Sequence, residues 1–95
     1  MVINFCVDDG GNMKYVSYDE NMIVENFIKD YLGKYTNYVS LDTKIYTFKS
    51  NAKILNSQKF LTKRLKDVIT NGGNIKFFRK QDTHYSNKIK LVIKI

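Results

Sequence analysis

The hydrophobic period of this chain changes near residue 22, and that change narrows the folds open to it more than any other feature. Ile3-Asn4-Phe5-Cys6-Val7 and Met13-Lys14-Tyr15-Val16-Ser17-Tyr18 repeat on the two-residue period of a half-buried strand. Between them, Asp8-Asp9-Gly10-Gly11-Asn12 has turn chemistry, since glycine takes positive φ without strain. Val24, Phe27, Ile28, Tyr31 and Leu32 then fall at i, i+3, i+4, i+7 and i+8, one apolar stripe along a helix. The sequence thus predicts a hairpin followed by an amphipathic helix that buries its stripe against it. Asp19-Glu20-Asn21 is the predicted N-cap region, and Gly33 the predicted stop.

The second half repeats the mixture. Tyr35–Thr43 reads as a link, Lys44–Lys49 as a third strand and Lys53–Leu55 as a short fourth. Asn56 or Ser57 is suited to cap a second helix with Phe60, Leu61, Leu65, Val68 and Ile69 on its apolar face. Asn71-Gly72-Gly73-Asn74 ends it, Ile75–Lys80 is a strand, Gln81–Asn87 a polar loop and Lys88–Ile95 a final strand. The order β-β-α-β-(β)-α-β-β is an α+β architecture, and 95 residues suit a single domain over 1–95.

No apolar run approaches the ~18 residues of a membrane span, and Met1–Phe5 is too short and polar for a secretory leader. One cysteine excludes an internal disulfide, and one histidine beside it excludes the usual structural zinc sets. A reducing compartment, cytoplasmic or nuclear, is the expectation. Cys6 is out of phase with Ile3, Phe5 and Val7, so it is expected to face outward. No neighbouring base activates it, and it reads as incidental. His84 reads as a solvated loop residue. Asp8–Asn12 lacks the spacing and terminal Glu of a calcium loop, and neither glycine pair forms a phosphate loop. Glu25 and Asp30, five apart on a helix, do not share a face. No catalytic set, cofactor site or metal site emerges, and a non-enzymatic role is expected.

The hairpin, main helix, strand pair, short helix and closing strand resemble the order of the ubiquitin-like β-grasp. Val24-Glu25-Asn26-Phe27 is similar to the Ile-Glu-Asn-Val that opens the ubiquitin helix. Tyr46-Thr47-Phe48 followed by Lys53-Ile54-Leu55-Asn56 resembles ubiquitin's Leu-Ile-Phe and Lys-Gln-Leu-Glu, and Leu61 matches the leucine of its short helical turn. Ile75–Arg79 approximates Leu-His-Leu-Val-Leu-Arg, so the resemblance covers about residues 1–80. It implies a mixed sheet packed on one main helix, with a second short helix and, beyond the resemblance, an extra C-terminal strand. Ubiquitin-like modifiers end in Gly-Gly. Here Gly72-Gly73 is internal and the sequence closes on Leu91-Val92-Ile93-Lys94-Ile95, so a non-conjugating type is expected, or a carrier whose tail is absent from this form. The positions matching ubiquitin's exposed isoleucine, histidine and valine are Thr47, Lys76 and Phe78, which implies poor binding by standard ubiquitin readers.

Charge is split along the chain. Residues 1–43 carry three lysines against seven acids, and residues 44–95 carry thirteen Lys or Arg against two, which gives the net +7. AT-rich codon usage accounts for fourteen lysines against two arginines, but not for where the acids sit. If Ile75–Lys80 pairs with Lys88–Ile95, Lys76, Phe78, Lys80, Lys88, Lys90 and Lys94 share one face. Lys59, Lys63 and Lys66 would line one face of the second helix and widen it. That face suits an acidic protein surface, with Phe78 as anchor. Alternatively it suits single-stranded nucleic acid, with Phe78 stacking a base, or it is a lysine-defended surface that binds nothing. The opposed charges of the two halves also permit head-to-tail self-association.

Overall fold

The computed structural model describes residues 1–79. The first hairpin pairs β1 (Val2–Asp9) with β2 (Asn12–Asp19) from Val2↔Asp19 to Asp9↔Asn12. Gly10 and Gly11 form its two-residue turn at φ 62° and 94°, both left-handed, and the Gly11 N–H donates to Asp8 Oδ1 at 2.8 Å. After α1 (Val24–Tyr35) come β3 (Tyr46–Ser50), β4 (Lys53–Ile54), α2 (Gln58–Leu61), α3 (Leu65–Val68) and β5 (Gly73–Arg79). The five strands form one mixed sheet in the order β2-β1-β5-β3-β4, with β5 parallel to β1 and antiparallel to β3. This is the α+β β-grasp arrangement, with one main helix across one face of a mixed sheet. Both edges of β5 are taken at Lys76 and Phe77, by β1 and β3. The hairpin partner expected at Lys88–Ile95 lies outside the described residues, as do Lys80 and His84.

The core sits between α1 and the sheet. The predicted stripe of Val24, Phe27, Ile28, Tyr31 and Leu32 is wholly buried, against Ile3, Phe5, Val7, Phe48, Ile75 and Phe77. Phe27 is the centre of an aromatic cluster. Its ring meets Tyr18 at 5.0 Å, Phe5 at 5.3 Å and Phe48 at 6.0 Å, all edge to face, the arrangement favoured by ring quadrupoles. A second layer of Leu55, Leu65, Val68 and Ile69 closes the far end.

Three local expectations are corrected. The helix cap is Ile23, which has no capping side chain, rather than Asp19-Glu20-Asn21. Asp19 Oδ1 instead accepts from the Asn21 N–H, closing its own turn. The exposed end of the helix is satisfied from elsewhere: Val24 N–H donates to the Lys63 carbonyl at 2.8 Å, and Leu65 N–H to the Met22 carbonyl at 2.9 Å. That docking, with the Ile23↔Arg64 bridge, also divides the expected second helix into α2 and α3. Lys63, in a bend, and Arg64, in extended backbone, lie between them, so Lys59, Lys63 and Lys66 do not line one continuous helical face.

Gly33 does not stop α1, which runs two residues further to a Thr36 cap whose N–H and hydroxyl both donate to the Leu32 carbonyl. A Cβ at Gly33 meets nothing within 4 Å, and its φ is not left-handed. Gly33→Ala is therefore expected to raise stability by about 0.5–1 kcal/mol, read as a higher denaturant midpoint at unchanged slope.

Tyr18 donates its hydroxyl to Asp30 Oδ2 at 2.7 Å, joining β2 to α1. Burial, and then this hydrogen bond, push the Tyr18 phenol above its usual range. Asp30 is held below the usual carboxylate range, first by the Tyr18 hydroxyl and then by Lys34. A carboxylate depressed in the folded state stabilises above its unfolded pKa, and that contribution is lost as pH falls through the folded value. Tyr18→Phe is expected to flatten the loss of stability below about pH 4, as thermal melts across pH 2–5 would record, with a small effect because Asp30 is partly solvated.

Candidate functional site

The pleat sorts the side chains of every strand between the helix and the open side of the sheet. In β5, Ile75 and Phe77 go to the core while Asn74, Lys76 and Phe78 face away from it. Register then fixes their neighbours. Thr47 stands directly opposite Phe78, and Lys49 directly opposite Lys76. One row runs across the whole open face, through Met13, Asp8, Lys76, Lys49 and Ile54.

Two lysines facing each other across an antiparallel pair repel. Neither Lys49 nor Lys76 has an acidic partner within 4 Å among the described residues, where the ion pairs are Lys29–Glu25, Lys34–Asp30 and Arg79–Asp9. Asp8, beside Lys76 in register, is engaged by the Gly11 N–H. Phe78 is 45% exposed next to this pair. Thr47 is buried and its hydroxyl donates to the Thr43 carbonyl, so it offers no apolar knob. The result is a facing lysine pair with Phe78 beside it, on an open side that also carries Asp8, Met13 and the 80% exposed Tyr15.

A cleft of about 250 Å³ lined by Asp8, Gly10, Gly11, Lys76 and Phe78 sets an acid beside Lys76, and two others meet at the β3–β4 turn. One of about 270 Å³ is lined by Lys49, Asn51, Asn74, Lys76 and Phe78. The other, of about 410 Å³, lies between the β3–β4 turn and α3, and is lined by Asn51, Lys53, Lys66, Asp67, Thr70 and Asn74 among others. Asn51 and Asn74 are common to both.

Of the six residues expected on the basic face, Lys76 and Phe78 are adjacent on the open side of β5, while Lys80, Lys88, Lys90 and Lys94 lie outside the described residues. Lys49 was missed. Its signal was parity within the third strand, where it follows the buried Phe48, but only the β3–β5 register brings it to Lys76. Cys6 occupies the outward parity, yet it is buried on an inner strand between Tyr15 and Asn74 rather than exposed. Gly72 takes φ 85°, its N–H donates to the Asn4 carbonyl, and Gly73 opens β5, so the internal Gly-Gly is part of the fold. Among the described residues no helix is long and apolar enough to cross a membrane.

Neither a protein-family profile nor a curated protein matches the sequence. Solved structures do match it. The ubiquitin-like domain of an Arabidopsis thaliana protein is 20% identical, with a TM-score of 0.63 over 83% of this chain and 78% of that one. The UBL domain of Plasmodium falciparum Dsk2 is 18% identical, with a TM-score of 0.61 over 83% of this chain and 99% of that one. A protein designed on the basis of ubiquitin is 12% identical, with a TM-score of 0.59 over 83% of this chain and 89% of that one. At these identities the likeness is one of fold, and that fold is the ubiquitin-like β-grasp.

Proposed function

We propose that this chain, folded as a ubiquitin-like β-grasp, is a non-enzymatic and non-conjugating protein-interaction module that binds an acidic protein surface through the open face of its sheet. The observation that carries the reading is the Lys49–Lys76 pair, two cations with no acidic partner within 4 Å among the described residues, set directly opposite each other beside a half-exposed phenylalanine. A partner carboxylate between them replaces repulsion by attraction, and Phe78 supplies the apolar contact that charge alone lacks. Lys80, Lys88, Lys90 and Lys94 extend the same basic chemistry along the sequence. Gly72 and Gly73, held in the turn and in β5, are not available as a conjugation tail.

The pair separates function from folding. Lys49→Glu sets opposite charges across the register, and is expected to raise stability by a few tenths to about 1 kcal/mol while weakening partner binding. Capture from a native-source extract, quantified for the wild type, Lys49→Glu, Lys76→Glu, Phe78→Ala and a Lys44→Glu control, tests this. The expected result is one set of proteins lost in the first three variants, lost with added salt, and kept by the control. Capture unchanged in Lys49→Glu and Phe78→Ala overturns the proposal.

A further inference from the structure

Asn51 and Asn74 line both clefts, so the two meet at the end of the sheet. A trough through both starts at Phe78, passes Lys49 and Lys76 on the open side, rounds the end of the sheet at the two asparagines and ends by Lys53 and Lys66, Lys53 standing opposite Ser50 on the helix side. None of these four lysines has an ion-pair partner within 4 Å among the described residues, and Asp67 is the one acid in the lining of either cleft. Both asparagines are exposed, and neither side-chain amide makes a hydrogen bond among the described residues. A side-chain amide both donates and accepts, which matches the alternating N–H and C=O groups of an extended main chain. Asn51 holds φ 56°, a left-handed position that asparagine tolerates better than most residues and that turns the chain between β3 and β4.

Resting on the docking role proposed above, we infer that the element recognised is an extended acidic peptide segment lying along this trough, with an apolar side chain against Phe78 and carboxylates at both lysine pairs. Phe78 to Asn74 is four residue steps along β5, about 13 Å at ~3.3 Å each, and the segment must reach beyond that to meet Lys53 and Lys66. Charge complementarity selects the occupant: cations stand at both ends, with polar amides between them. Single-stranded nucleic acid fits less well. Such sites stack successive bases on several aromatic side chains, whereas the trough offers Phe78 alone.

The probe is a fluorescein-labelled decapeptide of Asp, Glu and Ser residues with one Leu near an end, titrated with the full chain at low salt and followed by anisotropy. Lys49→Glu/Lys76→Glu and Lys53→Glu/Lys66→Glu are each expected to raise Kd at least about tenfold. Replacing the peptide's Leu by Ser is expected to matter in the wild type and not in Phe78→Ala. Binding that survives Lys53→Glu/Lys66→Glu but not Lys49→Glu/Lys76→Glu overturns the trough and leaves the docking face standing. Binding that survives both pairs overturns both. No peptide binding, while a captured folded protein still binds through Lys49 and Phe78, overturns the extended-segment form alone. A ten-nucleotide oligothymidine that binds more tightly than the peptide, and is lost in the same variants, overturns the peptide assignment. Circular dichroism melts verify folding, and the Lys→Gln versions replace any Glu variant that does not fold.

Discussion

Phe27→Ala is expected to remove about 4 kcal/mol of stability, a large part of the ~5–14 kcal/mol available to a chain of 95 residues. Phe27 is wholly buried, and its ring contacts reach three strands and its own helix: Phe5 on β1, Tyr18 on β2, Phe48 on β3 and Tyr31 on α1. Its removal opens a cavity where the main helix meets the sheet. The neighbours keep other ring contacts that limit their collapse into it: Phe5 stacks on Tyr18, and Phe48 meets Tyr31 edge to face. Phe27→Leu, which fills part of the volume, is expected to lose about 1–2 kcal/mol. Urea unfolding followed by circular dichroism reads both values. A loss below about 1 kcal/mol for Phe27→Ala contradicts this account of the core.

Asn56→Ala is expected to have the next largest effect, a loss of about 3 kcal/mol. Asn56 is buried at 3% exposure. Its Oδ1 accepts from the Phe48 N–H at 3.1 Å, while its Nδ2 donates to the Tyr46 carbonyl at 2.9 Å and the Leu41 carbonyl at 3.2 Å. One side chain thus ties β3, the loop after α1 and the start of α2 together. Alanine leaves a backbone donor and two carbonyls away from water with nothing in exchange. Asn56→Asp keeps the acceptor for Phe48 but sets a carboxylate against two carbonyl oxygens. It is expected to be at least as destabilising at neutral pH and partly rescued in acid, where the protonated oxygen can donate. Denaturant midpoints of the three proteins at pH 4 and pH 7 check the sign as well as the size.

The sequence made legible what depends on period. The five stripe residues of α1 are all buried, and Ile75 and Phe77 alternate with Lys76 and Phe78 as parity requires. Gly10-Gly11 form the hairpin turn that their freedom at positive φ allows. What depends on a distant partner was not legible. Ile23 caps α1 because Lys63 and Arg64 dock on it, and no local pattern announces a cap supplied from forty residues away. The same docking splits one expected helix in two, although its apolar spacing was sound. Of Asn56 and Ser57, both suited to cap the second helix, Ser57 takes the cap position without a side-chain cap bond, while Asn56 turns inward and accepts from the Phe48 N–H. Lys49 went unnoticed for the same reason. Its place at the site comes from the register of β3 on β5, which a single sequence does not display. Thr47 stands buried and hydrogen bonded at the position where the resemblance to ubiquitin places an exposed isoleucine.

The central claim is that binding happens on the open face of the sheet and depends on the Lys49–Lys76 pair. Its most direct test is an amide-resolved NMR titration of the isotope-labelled chain with the protein that capture yields. The account predicts that the amides shifting most belong to Thr47, Lys49, Lys76 and Phe78, that α1 amides from Glu25 to Lys34 stay still, and that Lys49→Glu abolishes the shifts while leaving the rest of the spectrum folded. Shifts centred on α1, or shifts on the sheet that survive Lys49→Glu, would contradict it.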